Sequence, residues 1–340
     1  MAQNTHTVTL KEGTEDAVNW KGKVGNDATV GFSALPLENV TEGATVTLQY
    51  NGTKEVKSVT AVKKEAEPAV TLATPLTMEA LTAGTIVVNN PPQGMQYSLN
   101  GVDTIAMTTT TNITVSAGDK VAFFGDGTNM TEYDGTTISG SGDGFTCKVY
   151  GNIMSLVNET GYETATTLTG SYTFSNLFQN NTTLTDASGL LLPATTLSIG
   201  CYMYMFQGCT GLTAAPALPA TTLAVECYMY MFRDCNHLTA APALPATQLA
   251  DECYLFMFKG CTGLTAAPVL PATQLASFCY YGMFRGCSNL SSVTCLATSG
   301  INQDSSTFNW LDGVAVTGTF TAASTANWPT NSASGIPSKG

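Results

Sequence analysis

The chain has 340 residues, only 11% of them charged, and a formal net charge of −12. So acidic a chain repels a phosphate backbone. Its nearest basic cluster, Lys63-Lys64, is followed by Glu65 and Glu67, so neither nucleic acid nor an anionic membrane is an expected partner. Abundant Thr, Ala and Gly disfavour long helices and favour short strands and turns, and the length accommodates two or three domains.

The N-terminal stretch MAQNTHTVTLKEGTEDAVNW has no basic segment followed by an apolar one, so a secretory signal is not expected. No run of about 18 apolar residues occurs, so no membrane insertion is expected. Residues 1–66 read as a small β domain. Thr5, Thr7 and Thr9 alternate with His6, Val8 and Leu10, and the runs 44–50 and 55–62 read as strands of a hairpin turning at Asn51-Gly52. The stretch from Lys63 to Val70, with Pro68, reads as a linker.

Residues 72–147 read as a β-sandwich-like domain. Short strands are expected at 85–89, 95–99, 112–115 and 120–124, with turns at Pro91-Pro92, Asn100-Gly101 and Gly118-Asp119. The loop from Gly125 to Gly144 carries Asp126, Glu132, Asp134 and Asp143. These are oxygen ligands that suit calcium, but the EF-hand pattern is absent, so a plain turn is the alternative.

From residue 150 to 298 the chain reads as a repeat array with a period of 26 residues. Cys201, Cys227, Cys253 and Cys279 form one series, and Cys209, Cys235, Cys261 and Cys287 a second. Met205, Met231, Met257 and Met283 precede Phe206, Phe232, Phe258 and Phe284, and Leu212, Leu238, Leu264 and Leu290 close each unit. A period of this length indicates a solenoid whose units stack to bury a common core. A degenerate first unit, with Phe178, Asn181 and Leu184 at the repeat positions, is two residues longer. Residues 299–340 read as a C-terminal cap and tail, with Trp310 or Trp328 covering the open end.

Within one unit Leu223, Cys227, Met231 and Cys235 are four apart, which predicts one face of a short helical segment, joined in the core by Phe232 and Leu238. The following TAAPAL predicts a very short parallel strand ended by proline, since Pro216, Pro242 and Pro268 each remove a ladder donor. Eight of the ten cysteines sit at repeat positions and read as buried small hydrophobes. Zinc and disulfides are the alternatives, zinc being poorly served by intra-unit spacings of 8 and 18.

Tyr202, Tyr204, Tyr228, Tyr230, Tyr254, Phe256, Tyr280 and Tyr281 fall between the core positions. They either pack against the next unit or form an aromatic contact stripe. The candidate contact surface is Tyr202, Tyr228, Tyr230, Tyr254 and Tyr280, with Asp234, His237, Lys259, Arg285 and Asn289 at variable positions. With His6 and His237 the only histidines, a nucleophile–histidine system is poorly supported, so no catalytic residue, cofactor or metal is assigned.

The string CYxxMFxGCxxLTxAPxLPATxLA, with ITVSAGDKVAFFG and VYGNIMSL, resembles the BspA-like branch of leucine-rich repeats, over about residues 72–340. This branch is common in surface proteins of Bacteroides-type bacteria and in their crAss-like phages. The resemblance implies a mainly β fold with short helical segments and a non-enzymatic, adhesive role. The expectation is a structural virion protein, a phage head or tail fibre or decoration. In this arrangement the N-terminal domain anchors on a capsid or tail protein and the repeats meet a host glycan or protein, with a homo-oligomer left open. The alternative is a bacterial cell-surface adhesin that lacks its signal sequence here.

Overall fold

The computed structural model describes residues 5–12, 15–16, 20–24, 33–34, 37–41, 46–50, 60–64, 69–127, 135–330, 333 and 335–336. The chain is mainly β with very few helices, and it divides into two compact units, Met1–Ala69 and Val70–Gly340.

Among the described residues the first unit has seven strands: β1 (Thr5–Glu12), β2 (Glu15–Asp16), β3 (Trp20–Val24), β4 (Ser33–Ala34), β5 (Leu37–Thr41), β6 (Val46–Tyr50) and β7 (Thr60–Lys64). One antiparallel sheet gathers β2, β5 and β7 around β1, and a second runs β4-β3-β6. The expected hairpin of 44–50 with 55–62 is therefore corrected. β6 pairs with β3, β7 pairs with β1, and the two strands belong to different sheets. Nine residues separate them, far more than the two of a tight hairpin, and Asn51-Gly52 lies outside the described residues. Lys63 and Lys64, expected in the linker, are the last residues of β7.

The second unit opens with β8 (Thr77–Ala80), β9 (Gly84–Asn89), β10 (Gln96–Leu99), β11 (Ile105–Ala106), β12 (Thr111–Val115), β13 (Lys120–Phe124), β14 (Thr137–Ser141) and β15 (Cys147–Asn152). Further along come β16 (Leu184–Leu191), β17 (Ser292–Cys295) and β18 (Thr319–Ala322). One sheet has the order β11-β10-β13-β8-β15-β16 and a second the order β12-β9-β14. Alternation decides which side chains enter the core: Ile113 and Val115 of β12 are buried while Asn112 and Thr114 are exposed. Met78, Val121, Phe123, Cys147 and Val149 join Ile86, Val88, Ile113 and Ile138 in one apolar cluster.

β15 makes an antiparallel pair with β8 on one side and a parallel pair with β16 on the other. The boundary expected at 147–150 thus falls inside a strand, and the segments before and after it share a sheet and a core. Beyond β16, four 26-residue segments follow, the last of which contains β17, paired in parallel with β18.

The expected helix at Leu223, Cys227, Met231 and Cys235 is corrected. Among the described residues the helical segments are two 3₁₀ turns, Ile153–Leu156 and Tyr162–Thr164, and residues 225–234 form consecutive turns. The expected strand at TAAPAL is also absent. Residues 239–244 carry no strand, and at the equivalent stretches of other segments neighbours meet through isolated parallel bridges such as Asp186↔Ala214 and Ala266↔Ser292. The equivalent stretches at the two ends, β16 and β17, contain no proline and do form ladders. Proline lacks the N–H that a ladder needs, so the Pro-bearing segments in between cannot build one.

Candidate contact surface

The surface is built on residues 200–209 and their equivalents. Here the main chain alternates two kinds of hydrogen bond. The amides of Met203, Met205, Gln207 and Cys209 donate to the carbonyls three residues earlier, closing successive turns. The amides of Gly200, Tyr202, Tyr204, Phe206 and Gly208 donate sideways, to the carbonyls of Val225, Cys227, Met229, Met231 and Arg233. An α-helix would direct all its amides along its own axis, so it could not make this lateral ladder.

A left-handed residue at every fourth position produces the turns: Gly200, Tyr204 and Gly208 have φ of 59°, 57° and 71°, and Glu226, Tyr230 and Asp234 have φ of 59°, 57° and 61°. The same sideways bonds recur from Tyr228 to Cys253 and from Tyr254 to Cys279. At the ends, Phe178 donates to Met205 and Phe284 to Trp310, so the two extra residues of the first segment leave the ladder intact.

This backbone sends two side chains inward and then two outward, as 227–235 shows: Cys227, Tyr228, Met231, Phe232 and Cys235 are buried, whereas Met229, Tyr230, Arg233 and Asp234 are part-exposed. In the segment before, Met203, at the position of Met229, is buried as well. The twenty Cys, Met, Phe and Leu positions expected in the core are all at most 1% exposed. Phe178, Phe206, Phe232, Phe258 and Phe284 stack as a column with centroids 5.4–5.6 Å apart. Such offset pairs add about 0.5–1.5 kcal/mol each beyond their area burial.

All ten cysteines are free thiols, and all are buried. Cys209, Cys235, Cys261 and Cys287 each donate from Sγ, at 3.0 Å, to the carbonyl of Phe178, Phe206, Phe232 and Phe258 in the segment before. Burial pushes the thiols of Cys227, Cys279 and Cys287 up to about 12.

Tyr202, Tyr228, Tyr254 and Tyr280 were expected on the contact surface, and this is corrected. They are at most 2% exposed and stack in a second interior column with Phe174, 5.7–6.0 Å apart. Each follows its Cys as each repeat Phe follows its Met, so the two-in, two-out turn directs both inward. The spacing of four was readable in the sequence, but a helical reading of it placed these rings on the flank. The column ends on tryptophan: Trp310 lies against Tyr280, and Trp328 stacks on Trp310 at 5.1 Å with Phe320 edge-on. The Trp310 indole donates from Nε1 to the Gly335 carbonyl.

The outward stripe is Tyr204, Tyr230 and Phe256, stacked at 4.9 and 5.2 Å. At the fourth position stands Gly282. Tyr281 swings in from the neighbouring position to meet Phe256 edge-on and stacks in turn on Phe308, a ring the sequence pattern did not single out. Beside these rings runs a file of Gln207, Arg233, Lys259 and Arg285. The Arg233 guanidinium lies 5.4 Å from the Tyr230 ring centre and the Lys259 ammonium 5.1 Å from that of Phe256. Arg233 pairs with Asp234 at 3.1 Å and Arg285 with Asp312 at 3.0 Å. Burial, then Arg233 and Arg285, pull the Lys259 ammonium below its ordinary value, with Asp234 opposing.

His237 and Asn289 are exposed but tied to the segment before. The His237 Nδ1 meets the Thr210 carbonyl at 2.6 Å, and Asn289 donates to the Thr262 carbonyl at 2.8 Å. The structure therefore brings Tyr230, Asp234, Lys259 and Arg285 onto one stripe, with His237 and Asn289 at its margin. Of the proposed calcium loop, Glu132 and Asp134 lie outside the described residues, and Asp143 is exposed. Among the described residues no group of three or more His, Cys, Asp or Glu could hold a metal ion, and no helix is long and apolar enough to cross a membrane. No family model, curated protein or solved structure matches the chain.

Proposed function

We propose that this chain is a non-enzymatic structural and adhesive protein of a virion, a head or tail fibre or decoration. Its 26-residue segments then form a leucine-rich-repeat-like solenoid that presents a contact surface. The observation that carries the reading is the sideways ladder. Each segment gives every second amide of its turns to the next, so that equivalent side chains recur in register from segment to segment, which supports the solenoid reading. Such repetition suits contact with an extended partner, because the side chains that meet it are already ordered before binding.

The division of the chain at residues 69/70 supports two separate roles, with the first unit as anchor and the second projecting outward. Resemblance to BspA-like repeats supports the adhesive part. The test uses two fragments, 1–69 fused to a fluorescent reporter and 70–340 alone, added to particles lacking the native protein and separately to host cells. The first should attach to particles and the second to cells. The reverse pattern would exchange the roles, and attachment of neither to either target would remove the reading.

A further inference from the structure

The basic residues of the second unit are distributed very unevenly. Between Tyr150 and Gly340 there are four, and three of them, Arg233, Lys259 and Arg285, occupy one file beside the aromatic stripe. The whole chain carries a net charge of −12, so a line of cations at one repeated position is a local reversal of sign. Solubility does not require it.

The stripe itself has a defined polarity. Tyr204, Tyr230 and Phe256 lie almost parallel, with interplanar angles of 12° and 20°, so their faces cover one another. What remains for solvent is mainly ring edge, the positive part of the aromatic quadrupole. Arg233 and Lys259 add full positive charge within 5.4 Å of ring centres. Lys259 lies between Arg233 and Arg285, and both destabilise its charge. An anion placed there would relieve that repulsion. The opposing carboxylates, Asp234 and Asp312, are about half exposed, so their ion pairs are weak and open to exchange with another carboxylate or sulfate.

We propose that this stripe is a binding track for a linear acidic polysaccharide, with Arg233, Lys259 and Arg285 meeting its carboxylate or sulfate groups and the Tyr204–Tyr230–Phe256 edges lying along its sugar rings. The repeat of chemically similar groups at about one ring spacing fits a polymer with repeated charge better than a single small anion. A duplex nucleic acid holds its sugars and bases inside a wide double helix, so a narrow stripe of ring edges would meet its phosphates alone. The proposal rests on the contact-surface reading above and narrows it to one ligand chemistry.

The test uses the full chain with four polymers: alginate, dextran sulfate, neutral dextran and duplex DNA. Affinity electrophoresis and calorimetry at low and at ~0.3 M salt measure binding. Alginate or dextran sulfate should bind, more weakly at high salt, and neutral dextran and DNA should not. The triple variant R233Q/K259Q/R285Q should bind about tenfold or more weakly while melting at the wild-type temperature. The proposal is overturned if the triple variant binds equally, if neutral dextran or DNA is preferred, or if no acidic glycan binds. In the last case, continued adhesion of the protein to host cells would leave the broader adhesive reading standing with another ligand. Loss of adhesion as well would remove both.

Discussion

The thiol of Cys235 donates a hydrogen bond to the main-chain carbonyl of Phe206, 3.0 Å away in the preceding segment. That carbonyl also accepts the Cys209 amide of its own turn, so one oxygen joins the closure of a turn to the stacking of two segments. Cysteine thus serves here as a compact apolar group that still has a weak donor to offer.

The thiols should make stability fall in alkali. Burial raises Cys227, Cys279 and Cys287 to about 12, and Cys147 and Cys295 to about 11, against about 8.5 for an unfolded thiol. Between these values the unfolded chain has lost protons that the folded chain keeps, so each thiol's contribution is complete below about pH 8.5 and is lost as pH rises toward its folded value. Denaturant melts from pH 8 to 11 should show this decline, and Cys227→Ala should make it shallower. Thiol titration at pH 8 should find almost no reactive cysteine in the native protein and all ten in denaturant.

Met231→Asp and Val225→Asp should differ sharply. Met231 is fully buried between the two cysteine files, while Val225 is 39% exposed. An unpaired carboxylate at Met231 should cost about 4 kcal/mol or more, enough to fray the array, and at Val225 about 0.5 kcal/mol. Thermal melts of the two variants provide the comparison, and equal melting temperatures would contradict the assigned facing.

Gly282→Ala should destabilise the protein by about 1–3 kcal/mol. Gly282 has φ of 56°, and a Cβ there would collide with the Phe256 ring. The left-handed cost for a non-glycine residue adds to the displacement of that ring. Gly118→Ala provides the reference: its φ is 90° but its Cβ would meet nothing, so only the backbone cost should appear.

Glu79 lies at the centre of its sheet, about 10% exposed, with Lys148 at 3.4 Å on one neighbouring strand and Lys120 at 3.8 Å on the other. Glu79→Ala should leave two cations facing each other and cost about 1–3 kcal/mol. The double variant Glu79→Ala/Lys148→Ala should recover part of that loss in a double-mutant cycle measured by urea unfolding.

Much of the core was legible because the signal was repeated four times. Cys, Met, Phe and Leu at fixed phase named twenty buried side chains without any knowledge of the backbone. The local conformation was not legible. A spacing of four fits a helix and fits this succession of turns equally well, and only the left-handed residues separate them. Among those, Tyr172, Tyr204, Tyr230, Phe256 and Phe278 are aromatic residues that ordinarily avoid that region. Misreading the turn also misplaced Tyr202, Tyr228, Tyr254 and Tyr280. In the first unit, Asn51-Gly52 was a strong local signal, but the strands on either side found partners far away in sequence, which local signals do not encode.

The alternating ladder also bears on how such a chain changes length. Tyr202 meets the Cys227 carbonyl, and Tyr228 meets the Cys253 carbonyl through the same atoms. Excising Cys227–Glu252 would bring Tyr202 opposite Cys253, with like chemistry on both sides of the seam. Gain or loss of one such segment would therefore add or remove a whole step without a frustrated join. The molecule's reach can then vary between descendants while its end pieces, tryptophan stack included, stay unaltered.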